Sequence, residues 1–113
     1  MSPARRRSLL AAAVVTGAMT LAGCTADPDV AVVSVDDGGF EPSTLTVPVG
    51  TEVRWVNDGA TWHTVTPEEA DSGWDSGRLR PGRTFAHRFG EEGAFVFRCE
   101  AHAQEVGVVE VVP

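Results

Sequence analysis

The stretch of sequence that decides the fold is residues 93–112, GAFVFRCEAHAQEVGVVEVV. Residues that favour strands fill positions 94–99 and 107–112, and runs of this length and composition predict β-strands. Between the two runs, Cys99 and His102 are separated by only two residues. The stretch therefore predicts two strands joined by a short loop that carries a thiol and an imidazole.

Five further runs of strand-forming residues precede this stretch, and turn residues such as Gly, Asn, Asp and Pro separate them. They lie at residues 30–35, 44–47, 51–56, 63–65 and 84–89. No window shows a sustained helical stripe of apolar residues. The pattern predicts an all-β, two-sheet Greek-key antiparallel sandwich, with Trp55, Phe85, Phe89 and Phe95 as its core fillers.

The N-terminal residues 1–23 have the composition of an export signal. Three arginines at positions 5–7 precede an apolar run at residues 9–21, which is too short to span the ~30 Å hydrocarbon core comfortably. Residues 21–24, LAGC, resemble the bacterial lipobox, which implies cleavage before Cys24 and a lipid on its sulfur. An uncleaved anchor and an ordinary signal peptide are the alternatives. The arginines leave Sec and twin-arginine export both open.

This assignment divides the chain into three parts. Residues 1–23 form a lipoprotein signal peptide, residues 24–29 a polar tether, and residues 30–113 one folded domain. The chain is predicted to be exported, with the lipid on Cys24 holding the domain at the outer face of the cytoplasmic membrane.

Composition excludes several classes of function. The chain has 113 residues, a formal net charge of −7 and a pI near 4.8. Such a field repels polyanions, so a nucleic-acid partner is excluded. The length excludes a large multi-substrate enzyme, and no catalytic triad or carboxylate pair is present. We therefore expect no catalytic residues and no enzymatic activity.

One further histidine completes a pattern that favours a metal. His63 lies 36 residues before Cys99, at the start of a predicted strand, so a sandwich could bring it to the same end as Cys99 and His102. Two imidazoles and one thiolate form the trigonal donor set of a blue-copper electron-transfer centre. The sequence predicts a site for one copper ion.

Residues 40–112 resemble the cupredoxin family, closest to its plastocyanin and amicyanin type. The resemblance is carried by F40-E-P42, L45-T-V47, V53-R-W-V-N-D58, H63-T-V65, D75-S-G-R-L-R-P-G-R-T-F85, G93-A-F-V-F-R-C99 and H102. It implies a mononuclear copper held at one end of the sandwich by His63, Cys99 and His102. It also implies one-electron shuttling between larger redox proteins, with His102 facing solvent and with Asn57 and Thr64 supporting the ligands.

The chain departs from the family at the weak axial ligand. Amicyanin-like members continue the loop as Cys-x-x-His-x-x-Met, and the position of that Met is Glu105 here. The longer plastocyanin spacing would place the ligand at Gly107, which has no side chain. The carboxylate of Glu105, the amide oxygen of Gln104 and a backbone carbonyl all remain possible, as does a three-coordinate copper. Ligation by Glu105 would lower the reduction potential, because an anionic oxygen prefers Cu(II) to Cu(I).

Other interpretations stay open at this point. Cys24 and Cys99 could form a disulfide, and His87 is expected to be a packed strand residue, not a ligand. Residues 68–71, EEAD, could steer a basic partner or could simply form a solvated loop. The predicted function is electron transfer by a monomeric, lipid-anchored cupredoxin with an unknown redox partner. The alternatives are a protein that delivers copper without electron turnover and a metal-free binding lipoprotein.

Overall fold

The computed structural model describes residues 29–113, so the predicted signal peptide, most of the tether and Cys24 lie outside the described residues. Within the described part, eight strands and one turn of 3-10 helix follow one another along the chain. They are β1 (Val30–Asp36), β2 (Gly39–Glu41), β3 (Thr44–Pro48), β4 (Thr51–Asn57), β5 (Thr66–Pro67), the 3-10 turn (Ala70–Ser72), β6 (Thr84–Phe89), β7 (Gly93–Cys99) and β8 (His102–Val112).

The strands form two four-stranded sheets, with the orders β2-β1-β4-β6 and β3-β8-β7-β5. The all-β two-sheet sandwich is thus confirmed, but the sheets are mixed and not purely antiparallel. Strand β1 runs parallel to β4, and β3 runs parallel to β8. The chain leaves the first sheet at β3 and returns at β4, which places β4 beside β1 in the same direction. Alternation of apolar residues encodes which face of a strand is buried but not the direction of its neighbour.

The structure differs from the predicted strands at three places. The short β2 was not predicted, because only three residues pair with β1 across the turn at Asp37 and Gly38. The strand expected at residues 63–65 lies at Thr66–Pro67, and His63 itself forms an isolated bridge to Leu79. Strand β8 begins at His102, five residues before its predicted start. The predicted loop after Cys99 is therefore a tight hairpin.

An aromatic cluster centred on Trp55 fills the space between the sheets. Trp55 is fully buried, and its ring lies 5.4 Å from that of Phe97, 5.7 Å from Phe85 and 6.3 Å from Phe89. Of the predicted core fillers, Trp55 and Phe89 are buried, whereas Phe85 and Phe95 are partly buried against the core. Trp74 also stacks on Trp55, at 5.8 Å. Because large rings carry much of the buried apolar area, this cluster is a major source of stability in so small a domain.

Gly107 allows β8 to approach its neighbours closely. It pairs with Phe97 of β7 and is buried. A Cβ at this position would overlap the ring of Phe97 and lie 2.9 Å from the carbonyl oxygen of Ser43. The carbonyl of Ser43 also accepts a hydrogen bond from the N–H of Val108, at 2.8 Å, so it is not free to move away.

We expect Gly107→Ala to lower the free energy of unfolding by about 1–3 kcal/mol, because the added methyl overpacks the core beside Phe97. Urea denaturation followed by tryptophan fluorescence measures the change. Gly90→Ala is the matched control, since a Cβ there meets nothing within 4 Å. Equal destabilisation by both substitutions would contradict the packing argument.

Candidate metal centre

Four side chains with metal-binding atoms meet at one end of the sandwich. They belong to His63, Cys99, His102 and Glu105, and one ligand atom from each lies within 4.8 Å of all the others. The sulfur of Cys99 is 3.7 Å from Nδ1 of His63 and 3.5 Å from Nδ1 of His102. Oε1 of Glu105 lies 3.2 Å from Nδ1 of His63 and 3.4 Å from Nδ1 of His102. The structure thus brings together the three predicted ligands and the predicted axial residue.

The β7–β8 hairpin positions three of these four residues. Cys99 and His102 are paired across a two-residue turn, and the register of the two strands shifts between Arg98 and Cys99. In a regular strand, His102 and Glu105 would point to opposite faces, because their separation is odd. An irregularity of this kind re-aims side chains, and here it lets both residues face Cys99.

The same alternation separates Glu105 from Gln104. From Glu105 onwards the odd-numbered residues of β8 face the core, so Glu105 is buried and Gln104 is exposed. Gln104 therefore belongs to the face of β8 that is turned away from the core. Of the two side chains considered for the axial position, only Glu105 is placed to reach the site.

His63 reaches the site from the segment between β4 and β5. Its backbone exchanges two hydrogen bonds with Leu79, His63 N to Leu79 O at 3.0 Å and Leu79 N to His63 O at 2.7 Å. Asn57, at the end of β4, is buried and fastens this segment. Its Nδ2 donates to the carbonyls of Leu79 (2.7 Å) and Thr61 (3.0 Å), and its Oδ1 accepts from the N–H of Gly59 (2.8 Å). The predicted supporting residue therefore ties together the two loops that hold His63.

Thr64 connects the His63 segment to the hairpin. Its backbone N–H donates to the sulfur of Cys99 at 3.4 Å. Its hydroxyl oxygen accepts a hydrogen bond from the N–H of Glu100, at 2.9 Å. Both contacts cross from one loop to the other and involve the residues next to the candidate ligands. The structure thus gives Thr64 one contact with the sulfur of Cys99 and one with the backbone of the residue that follows it.

Asp37 is a supporting residue that the sequence analysis missed. Its Oδ1 lies 3.1 Å from Nε2 of His63, the ring nitrogen opposite the one that faces Cys99. Asp37 also accepts hydrogen bonds from the backbone N–H of Ala60 and the hydroxyl of Thr61. These hydrogen bonds, first that from Ala60 and then that from His63, lower the pKa of Asp37 to about 2. In the sequence, Asp37 is only one residue of an Asp-Asp-Gly-Gly turn, and no pattern there indicates a contact with His63.

The cluster is buried except at one edge. The side chains of His63 and Cys99 are fully buried and that of Glu105 is 4% exposed, whereas that of His102 is 36% exposed. A carboxylate buried to this degree needs charged or hydrogen-bonding partners, and Glu105 faces two imidazoles. Two imidazole nitrogens, one thiolate and one carboxylate suit a transition metal such as copper. Solvent reaches this set through the ring of His102.

Other predicted features lie away from the cluster. His87 stacks on Trp74 with ring centroids 5.1 Å apart, and burial lowers its pKa. Cys99 is a free buried thiol, and the disulfide alternative is not tested because Cys24 lies outside the described residues. Glu68 in the acidic stretch forms an ion pair with Arg98.

Comparison with known proteins identifies the family. Residues 9–111 match the model of the cupredoxin-like domain, so the chain belongs to the cupredoxin family, whose members carry copper and transfer electrons. Halocyanin of Natronomonas pharaonis is 33% identical over 81 residues, which are 67% of this chain and 50% of that protein. The chain thus spans about half the length of this relative.

Solved structures agree with this assignment. A purple cupredoxin from Nitrosopumilus maritimus has 30% identity and a TM-score of 0.67, covering 73% of this chain and 99% of that one. A methionine-to-alanine variant of amicyanin in its Cu(I) form has 26% identity and a TM-score of 0.69, covering 80% and 88%. The cofactor of the protein is one copper ion, and the four donor atoms described above fit it.

Among residues 29–113, no helix has the length and apolar character needed to cross a membrane.

We expect Asp37→Asn to weaken copper binding by about 10-fold, because partners of this kind orient a ligating imidazole and increase its basicity. Competition against a chromophoric copper chelator measures the affinity. Asp58→Asn is the charge-matched control, since Asp58 accepts a hydrogen bond from Ser34 and does not contact His63. A similar loss of affinity in both variants would show that Asp37 acts only through net charge.

Proposed function

We propose that this protein carries single electrons between redox proteins at the cell envelope, with copper held by His63, Cys99 and His102 and with Glu105 as a fourth ligand. The observation that carries the proposal is the convergence of the four donor atoms within 4.8 Å at one end of the sandwich. Bound copper would supply a couple between Cu(II) and Cu(I). The role is that of a carrier and not of an enzyme.

The chain's own residues contribute rigidity to this role. Electron transfer is fast when the donor atoms move little between the two oxidation states. Asn57 fastens the loops around His63, and Thr64 fastens the turn after Cys99. These hydrogen bonds are buried or partly buried, and such networks hold a site in one arrangement. They support a centre that is organised before the metal changes charge.

His102 is the proposed route for the electron. It is the only member of the described cluster with a substantially exposed side chain, at 36%. His63 and Cys99 are closed off by the surrounding loops. A partner could therefore approach the centre most closely at the ring edge of His102.

Glu105 is proposed to tune the centre. A carboxylate favours the more highly charged oxidation state and should lower the reduction potential relative to a neutral sulfur ligand. It should also shift the absorption away from that of a purely blue site. The similarity to a cupredoxin described as purple supports this expectation.

The cellular placement rests on the N-terminal residues. We propose that residues 1–23 direct export and that a lipid on Cys24 anchors the domain, with residues 24–29 as a tether. The redox partner is a protein of unknown identity, and the carrier is proposed to act as a monomer.

Copper(II)-loaded protein is expected to show an intense thiolate-to-copper charge-transfer band and reversible voltammetry. Cys99→Ser should abolish the band, because a hydroxyl cannot replace the thiolate in this transition. Visible absorption and cyclic voltammetry measure the two properties. Copper that is released on reduction, or that cannot be re-oxidised, would instead favour copper delivery over electron transfer.

Glu105→Gln is expected to raise the reduction potential and to change the visible and EPR spectra, because it removes the anionic oxygen that faces both imidazoles. Glu110→Gln is the control, since it makes the same substitution on the outer face of the same strand, where Glu110 accepts a hydrogen bond from Thr46. Spectra of Glu105→Gln that match those of the unsubstituted protein would remove Glu105 from the ligand set.

A further inference from the structure

Three of the six arginines in the described residues lie in one six-residue segment, R78-L-R-P-G-R83, which contains no acidic residue. We call this segment the arginine loop. Its three arginines are exposed. Such a concentration of positive charge stands out in a chain whose formal net charge is −7.

The other three arginines of the described part all form ion pairs, with two carboxylates between them. Arg54 and Arg88 both contact Glu52, and Arg98 contacts Glu68. Within residues 29–113, by contrast, no arginine of the arginine loop forms an ion pair. Arg78 instead lies over the ring of Trp62, with its Cζ 4.3 Å from the ring centroid. Among the residues that the structure describes, the arginine loop therefore presents positive charge that no carboxylate neutralises.

The arginine loop is joined directly to the metal centre. Leu79, between Arg78 and Arg80, is buried and exchanges two backbone hydrogen bonds with His63. The backbone N–H of Arg83 donates to the carbonyl of Arg80, at 3.0 Å, which closes the turn at the end of the loop. Trp62, which contacts Arg78, is the residue before His63. Arg78 and Arg80 thus flank the residue whose backbone is hydrogen-bonded to His63, a candidate ligand.

We propose that the arginine loop is a docking surface for an acidic face of the redox partner, an inference that rests on the proposed function. Arginine pairs with carboxylates through two parallel hydrogen bonds, so it gives orientation as well as attraction. Local charge complementarity steers encounter even when the two proteins carry the same net sign. The loop would bring the partner to the end of the sandwich that holds the copper.

An acidic protein fits this position better than an anionic membrane. A carrier must expose its metal-bearing end to a partner, and adsorption of that end to lipid headgroups would cover it. The stretch at residues 68–71, which the sequence suggested for a basic partner, is partly neutralised through the ion pair of Glu68 with Arg98. The unpaired arginines are therefore the stronger electrostatic feature.

The first test uses a redox-inert trianion, hexacyanocobaltate(III), as the probe of anion docking. NMR titration of the copper(I)-loaded and the metal-free protein should show saturable shifts at the amides of residues 62–63 and 78–83. The triple variant Arg78→Gln, Arg80→Gln, Arg83→Gln should lose these shifts. The matched control Arg54→Gln, Arg88→Gln, Arg98→Gln removes the same charge elsewhere and should keep them, with the amide spectrum of each variant reporting that it is folded.

The second test measures oxidation of the copper(I) protein by hexacyanoferrate(III) at several ionic strengths. The second-order rate constant should fall as salt is added, although the net charges of protein and oxidant have the same sign. The loop variant should be slower by about tenfold at low salt and should lose this salt dependence. The control variant should retain it.

The outcomes separate this inference from the proposed function. Failure of the copper to cycle would contradict the proposed function, while the hexacyanocobaltate titration of the metal-free protein would still report on the loop. Absent shifts at the loop, or equal behaviour of the two triple variants, would overturn the inference. The inference would also be overturned if the protein sedimented with phosphatidylglycerol vesicles and the loop substitutions abolished this sedimentation. The loop would then bind a membrane.

Discussion

The pairing of Cys99 with His102 across the turn between β7 and β8 is the constraint on which the metal centre depends. It sets a sulfur and an imidazole nitrogen 3.5 Å apart through the register of two neighbouring strands. The register shift beside it brings His102 to the same end as Glu105, which the regular alternation of β8 turns inward. One hairpin thus supplies three of the four candidate ligands, and the remainder of the fold has to deliver only His63 to the same end.

Hydrogen bonds between polar groups of neighbouring segments hold His63 at the metal centre. Asn57 and the backbone of Leu79 fix its segment, and Asp37 contacts its outer ring nitrogen. Each contact satisfies a donor or acceptor that would be costly to leave buried and unpaired. The rigidity of the site and the stability of this end of the sandwich therefore have the same physical origin. This is why substitutions around the site are expected to affect metal binding and folding together.

The copper site has a buried acidic residue on its inside and exposed arginines near its outside. Inside, the buried carboxylate of Glu105 adds negative charge beside two imidazoles and a sulfur, which suits the oxidised metal. Outside, the arginine loop adds positive charge next to His63 on a chain that is negative as a whole. In the proposed function, the inner charge would set the potential of the centre, and the outer charge would set the direction from which a partner approaches. The two roles are separable because one group is excluded from water and the other is exposed.

The sequence by itself indicated the all-β class, most of the strands and three members of the metal cluster, His63, Cys99 and His102. Most of these follow from local signals, since alternation marks strands and a Cys and a His with two residues between them can share an ion across one turn. Only the tertiary structure decided the parallel pairing of β1 with β4, the burial of Glu105 beside two imidazoles with Gln104 exposed, and the contact of Asp37 with His63. Each of these depends on which segments meet in space, and register and long-range pairing are not written in the periodicity of any single segment.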